Sequence, residues 1–327
     1  MNKHQGMALV LVLWILSLLT IMAGSFALSM RRETATISGL RNNAEAKAIA
    51  ESGLAIAEWM LQNPDPNKRW RADGSIYQID SANVKLRIRL LSETGKINLN
   101  NVEQPLLQNL MNYSPNGSSA QLPSITIDRA AAILDWSDND DLARVNGAEK
   151  QQYQDAGLNY QPRNRPFQSL EELQMVLGMD AATFNWIEPL ITVYSSQTQV
   201  DLQLASKEVL LALPGIDAGL VDSYVAARVQ SAKNNLPAPP SPIDVTQSGA
   251  GAVAAPEVSS LTIISEVQLD DQSTALVNAL VKKSEGTQTI PFQVLRWQQF
   301  ATNNQTLFTD KMSELVVKHY AESELNN

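Results

Sequence analysis

The spacing of apolar positions divides the chain into segments of different character. From Met7 to Met30 no charged residue interrupts 24 consecutive positions. A helix of that length spans ~36 Å at ~1.5 Å per residue, enough to cross a bilayer core of ~30 Å with some tilt. The helical pattern continues beyond it. Ile37, Leu40, Ala44, Ala48, Ile49, Ile56, Trp59 and Met60 recur at a three-to-four spacing, which places them near one face. Asn63-Pro64-Asp65-Pro66 ends the run, because proline breaks the hydrogen-bond ladder and restricts the residue before it. The pattern predicts one helix over about 7–62. A secretory signal peptide is the alternative for its first part, with Ser25-Phe26-Ala27 as a cleavage site, although such peptides have apolar cores of only ~7–15 residues. A coiled coil is the alternative for the second part, but heptads are not sustained.

Beyond Pro66 the period changes to two. Val84-Lys-Leu-Arg-Ile-Arg-Leu90 alternates apolar and basic residues, the mark of a half-exposed strand, and Ser75–Asp80 precedes it as a partner. Thr94–Asn100 follows as a further short strand. Helical spacing then returns over Gln104–Tyr113 and Asp128–Trp136, and over two pairs of helices. Phe167–Leu177 and Ala181–Ile191 meet at Gly178, while Ala205–Leu213 and Ala218–Gln230 meet at Pro214-Gly215. Residues 234–260 hold five prolines among Gly, Ala and Ser and read as a linker or loop. Strands resume at Leu261–Gln268, Thr274–Lys283 and Thr289–Phe300; composition alone would also allow a helix at 275–283. A helix is expected over Asp310–Leu325. Strands on both sides of a helical block imply an α+β fold: a long N-terminal helix, a small antiparallel sheet, and an all-α domain inserted into that sheet.

The chain has 327 residues with 44% apolar content, enough for a substantial core. The absence of Cys excludes disulfides, thiolate metal sites and Cys nucleophiles. Lys and Arg total 25 against 34 Asp and Glu, a net charge of −9 that is a poor match to nucleic acid. Leu213-Pro-Gly-Ile216 with Arg228 has the form of a helix–hairpin–helix, a module that often holds phosphate. Yet residues 128–188 carry eleven acidic and five basic side chains, a field that repels DNA. Catalysis finds no support: only His4 and His319 are present, and no phosphate loop, zinc spacing or serine elbow appears.

Asp135, Asp138, Asp140, Asp141 and Glu149 are the densest acidic cluster. Carboxylates gathered in one loop repel unless a cation joins them, and hard oxygen ligands suit Ca²⁺. Counted from Asp138, the spacing echoes an EF-hand but fails at Leu142 and Ala143, where a ligand and a glycine belong. The expectation is one or two structural Ca²⁺ ions held partly by these residues. A solvated loop neutralised by Arg144, Lys150 or water is the alternative.

The short polar leader ending in Gly6 before the apolar run resembles the class III leader of type IV pilins and type II secretion pseudopilins. The resemblance implies that a prepilin peptidase cuts between Gly6 and Met7, on the cytoplasmic side, and methylates the new N-terminus. Most of these proteins carry Glu at the fifth mature position, where it meets the terminal amine of the adjoining subunit; here that position is Leu11. Gly95-Lys-Ile-Asn-Leu-Asn100, Ile133-Leu-Asp-Trp-Ser-Asp-Asn-Asp-Asp141, Asn146-Gly-Ala-Glu149, Tyr153, Asn164-Arg-Pro-Phe167, Leu170-Glu-Glu-Leu173 and Pro291-Phe-Gln-Val-Leu-Arg-Trp297 follow in order. Together with Leu11 they are similar to the K-type minor pseudopilin.

That resemblance implies a leader at 1–6, a membrane span at 7–30 and a periplasmic helix at 31–62. It also implies a pseudopilin sheet at 75–100 and 261–300, an inserted helical domain at 101–233, a loop at 234–260 and a C-terminal extension at 301–327. It supports calcium in the helical domain. It implies a single-pass inner-membrane protein with its bulk in the periplasm, a structural protein and not an enzyme, capping the pseudopilus tip with I-type and J-type minor pseudopilins. A minor type IV pilin in adhesion or DNA uptake, and a membrane-anchored periplasmic DNA-binding protein, are the alternatives.

Overall fold

A computed structural model describes residues 5–122, 125–195, 197, 199–213, 216–241, 259–284, 291–300 and 306–321. The first element, α1 (Gln5–Leu61), is one uninterrupted helix of 57 residues. Its two halves have opposite surroundings. Leu9 to Met30 project their large side chains outward with nothing packed on them. Further along, Ala46, Ala50, Leu54, Ala57 and Met60 are buried at helical spacing against a sheet. Small residues on this stripe let the helix sit close. A Cβ on Gly53 would lie 2.1 Å from Oγ of Ser265, so only glycine fits there.

The sheet is built from β1 (Asp73–Ser81), β2 (Val84–Ser92), β7 (Ser260–Leu269), β8 (Thr274–Lys283), β9 (Phe292–Phe300) and β10 (Val316–Ala321), in the order β10-β1-β2-β7-β8-β9. Strand β2 lies antiparallel to β7 with Leu86 opposite Val267 and Leu90 opposite Ile263. Strands adjacent in space are thus far apart in sequence, and all that lies between them is an insertion. Leu86, Ile88, Leu90, Ile263 and Ala279 face α1, and the alternating Arg87, Arg89 and Glu266 face the other side.

That second face explains a correction at the C-terminus. Among the described residues of the helix expected over 310–325, those up to 321 form α8 (Asp310–Ser313) and then β10, which lies parallel to β1 at the sheet edge. Val316-Val317-Lys-His-Tyr320 is rich in β-branched and aromatic residues, and pairing with β1 decides in favour of the strand. Buried Glu266 holds the approach by accepting from the Leu307 N–H and from Thr306 Oγ1 at 2.8 Å.

The insertion carries α2 (Gln104–Asn112), α3 (Arg129–Ser137), α4 (Lys150–Asp155), α5 (Ala181–Ile187), α6 (Lys207–Ala212) and α7 (Ala218–Lys233). Leu107, Leu110, Ile133, Trp136, Tyr153, Leu173, Ile187, Leu210 and Val221 form its core, separate from the core under α1. Three details differ from the sequence pattern. The expected helix at 167–177 is a 3-10 segment over Leu170–Met175. The expected strand at 94–100 is a 3-10 turn, Glu93–Gly95, followed by β3 (Ile97–Asn98), which pairs with β6 (Ile191–Thr192) and not with the main sheet. A hairpin of β4 (Ser119–Gln121) and β5 (Thr126–Asp128) also appears, unannounced by any alternation. Pro214-Gly215, most of the 234–260 loop and residues 289–290 lie outside the described residues.

A buried polar joint ties the insertion to the sheet. Lys96 Nζ donates to Glu93 Oε1 at 2.5 Å and to Thr262 Oγ1 at 3.0 Å. Thr262 and Thr192 donate to the two Glu93 oxygens at 2.6 and 2.5 Å. Thr262 belongs to β7 and Thr192 to β6, so one carboxylate bridges the sheet and the helical block.

Candidate cation site and the membrane helix

The Gly6–Met7 bond falls inside the helical run of α1, and Leu11 is 61% exposed on its surface. Among the described residues α1 is the one helix long and apolar enough to cross a membrane. An apolar surface of this extent is costly in water and is satisfied by lipid or by other apolar helices.

The acidic residues gather where α3 ends. Asp128 caps that helix by accepting from the Ala130 N–H at 2.9 Å, and Asp135 and Trp136 lie on its buried face in the last two turns. The following loop folds back over the Asp135 carboxylate. Its Oδ2 accepts from the backbone N–H of Arg144 at 3.1 Å and of Ala148 at 2.9 Å. Two local features allow this wrap. Asn146 adopts a left-handed φ of 57°, which asparagine tolerates better than most residues. A Cβ on Gly147 would lie 2.0 Å from Asp135 Oδ2, so the carboxylate occupies space that only glycine leaves open.

Arg144 reaches into the same place. Its guanidinium donates to Asp135 Oδ1 at 2.6 Å and also to Asp138 Oδ2. Burial works against its charge, but the hydrogen bonds to Asp135 and Asp138 hold its pKa above the ordinary guanidinium value. Burial raises the pKa of Asp135, with the Arg144 contacts acting in the opposite direction.

Glu149 is different. It is 4% exposed, and neither carboxylate oxygen has a hydrogen-bond partner. Burial pushes its carboxyl up to about 7, and the charges of Asp135, Asp138, Asp141 and Asp140 add to the shift. In the adjoining core the rings of Trp136, Tyr153 and Tyr160 pack on one another with centroids 5.6–6.5 Å apart. Two more buried oxygens lack partners: Asp138 Oδ1 and Asn164 Oδ1. Asn164 has a left-handed φ of 51°, and its amide nitrogen donates to Asp140 O at 2.9 Å and Asp141 Oδ1 at 2.8 Å. Asp140 Oδ1 accepts from the Leu142 N–H at 2.8 Å, and Asp140 and Asp141 stand at the exposed rim.

The five acidic residues singled out in the sequence therefore share one electrostatic neighbourhood. They do not form a closed cage, for among the described residues no three acidic or histidine side chains are arranged to hold a metal. Charge pattern did not reveal Asn164, which enters from 15 residues beyond Glu149; an Asn in left-handed backbone beside acidic residues is its structural signal. The helix–hairpin–helix reading of α6 and α7 fares differently. Arg228 is buried and donates to the carbonyls of Gln203 at 3.1 Å and Ala205 at 2.7 Å, so its guanidinium is engaged inside the fold.

Residues 95–196 match the family model of type II secretion system protein K. That stretch of the chain is similar to protein K. The matched region contains the whole acidic loop, Arg144 and Asn164. Curated relatives agree: protein K of Klebsiella pneumoniae is 28% identical over 60% of this chain and 65% of its own length. Protein K of Pseudomonas aeruginosa is 23% identical over 86% of this chain and 90% of its own length. The match to the Klebsiella protein thus covers just under two thirds of that relative. A chain from the solved GspK–GspI–GspJ complex of the enterotoxigenic Escherichia coli type 2 secretion system aligns at 16% identity and a TM-score of 0.46, over 84% of this chain and 99% of that one. The family match falls on the insertion, and not on α1.

Proposed function

We propose that the chain is a minor pseudopilin that sits at the tip of the type II secretion pseudopilus. It is a structural subunit, anchored in the inner membrane by α1 with the sheet and insertion in the periplasm, and it starts the fibre with I-type and J-type minor pseudopilins. The observation that carries this reading is the pairing of an unpacked apolar half-helix lacking an acidic fifth position with a large insertion in the sheet, in a chain similar to protein K. A carboxylate in lipid without a partner is costly, and a subunit with no neighbour above it has no amine to offer one. An insertion on the scale of the sheet domain itself would crowd a repeating shaft and has room at an end. Cleavage between Gly6 and Met7 by a prepilin peptidase, with methylation of Met7, belongs to the same reading.

Full-length protein extracted from membranes should co-purify with tagged I-type and J-type pseudopilins as one complex, and deletion should stop export. Loss of twitching or DNA uptake with export intact would favour a type IV pilin instead.

A calcium ion at the acidic loop belongs to the same proposal. Buried, unpartnered oxygens of Glu149, Asp138 and Asn164 are hard donors of the type Ca²⁺ takes six to eight of. Asp138, Glu149, Asn164 and Asp135 would hold the ion, with Asp140 and Asp141 contributing charge from the rim. A bound cation would supply counter-charge that locks α3, the loop and α4 together. Titration of CaCl₂ into metal-stripped protein should release or absorb heat and raise Tm; neither occurring would remove the idea.

A further inference from the structure

We infer that Arg144 is a built-in counter-cation of the acidic loop, and that Ca²⁺ binds by taking its place. The inference rests on the calcium reading above and concerns how that site is regulated.

The geometry gives three reasons. First, Arg144 occupies the oxygens that a metal would need. One guanidinium nitrogen joins Asp135 Oδ1 and Asp138 Oδ2. A divalent ion bound to the same carboxylates would face a positive charge at contact distance, so guanidinium and ion exclude each other. Second, the occupation is incomplete. Glu149, at 4% exposure, keeps both oxygens unpartnered, and Asp138 Oδ1 and Asn164 Oδ1 are buried without partners. One monovalent side chain therefore leaves part of the cluster's acceptor capacity unused. Third, Arg144 can leave without unravelling the loop. Its side chain is 33% exposed, whereas Asp135 is fully buried. The loop is pinned to Asp135 Oδ2 by the backbone N–H groups of Arg144 and Ala148, which do not depend on the guanidinium. When the side chain swings to solvent, Asp135 Oδ1 and Asp138 Oδ2 join the four unpartnered oxygens. Hard donors of that kind and number suit calcium.

Arg144 would neutralise Asp135 and Asp138 in calcium-poor surroundings and yield where calcium is abundant.

The test compares wild-type full-length chain with Arg144→Met and Arg144→Gln, all metal-stripped in detergent, by calorimetric titration with CaCl₂ and by Tm. The variants should bind Ca²⁺ about 10-fold or more tightly, the size of an ordinary coupling between sites. They should melt below wild type without calcium and alongside it when saturated. Wild-type binding with unchanged or weaker binding in both variants would overturn the exchange and leave the calcium reading standing. No binding by any of the three would overturn both. A second measurement needs no variant: modification of Arg144 by phenylglyoxal in wild-type protein, read by peptide mass spectrometry. Calcium should raise its rate several-fold, and an unchanged or lower rate would defeat the exchange.

Discussion

Two buried charge clusters in this chain have the same ingredients and opposite completeness. At the joint of sheet and insertion, Lys96 and Glu93 are both nearly inaccessible, and two threonines from different strands fill the carboxylate's remaining acceptor positions. In the acidic loop, Arg144 serves Asp135 and Asp138, while Glu149 is left with no partner at all. A satisfied network in low dielectric specifies one arrangement; a partly satisfied one carries a standing cost unless a ligand removes it. The first cluster is thus a rivet and the second has the open acceptors of the receptor proposed above, and burial alone would not have told them apart.

The sharpest way to break the comparison is to orphan the rivet. Glu93→Ala leaves the Lys96 ammonium buried without its counter-charge. Loss of one partner of a buried pair costs about 3–5 kcal/mol, which should appear as a lower denaturant midpoint. The double variant Glu93→Gln with Lys96→Met should recover much of the loss, because no charge is then stranded. Equal instability of single and double variants would show that the pair does not work as a unit.

The receptor should behave with the opposite sign. The Glu149 carboxyl titrates at about 7 in the fold against an ordinary 4.5. Below 4.5 it is neutral in folded and unfolded chains alike. As pH rises toward 7 the unfolded chain gives up the proton and the folded chain retains it, so the stability gained from the neutral form is progressively lost. A shift of this size corresponds to about 3 kcal/mol between pH 4.5 and pH 8 in metal-free protein. Glu149→Gln should flatten that dependence, stabilise the metal-free protein above pH 7 and cancel the calcium-induced rise in Tm. Calcium affinity in wild type should climb through the same window, since a carboxylate must be deprotonated to bind a metal. A variant less stable than wild type at pH 8 without metal would mean that Glu149 has a partner after all.

The rivet and the receptor were not equally legible in the sequence. The long helix, the alternation of Val84–Leu90 and the return of strands after 260 follow from period and proline placement, which are local signals. Asp135, Asp138 and Glu149 were visible as a density of charge. Arg144 was visible as a neutralising cation, and it does pair with Asp135 and Asp138; its depth in the cluster was not, because it depends on the chain reversing at Asn146 and Gly147 and on Asp135 beneath it. Lys96 lies in a stretch that reads as a short strand and nothing local singles out Glu93, since the threonines that complete the pair lie 99 and 169 positions away. The tail misled for a related reason. Short apolar stretches at 312–317 satisfy helical and strand periods equally, and the unpaired edge of β1, remote in sequence, decides between them.

A finer test separates the shape of the receptor from its charge. Gly147 is the point where the loop backbone closes on Asp135; a Cβ there would stand 2.0 Å from Oδ2 and 3.0 Å from Cγ. The two nearest obstructing atoms belong to a side chain, with the Arg144 backbone nitrogen at 3.2 Å, and the fold can yield by turning the carboxylate away from the N–H groups of Arg144 and Ala148, so Gly147→Ala should cost about 2 kcal/mol of metal-free stability, within the range of overpacking. At Gly95 the corresponding Cβ would meet the backbone carbonyl of Leu204 at 2.4 Å, where nothing can rotate away, so Gly95→Ala should cost distinctly more. Calcium should reverse the ranking. Turning Asp135 removes its Oδ1 from the cluster, so Gly147→Ala should weaken calcium binding although its charges are all intact, whereas Gly95→Ala should leave affinity unchanged in the fraction that folds. Equal calcium affinity in both variants would mean that the loop presents its carboxylates without help from the close approach at Gly147.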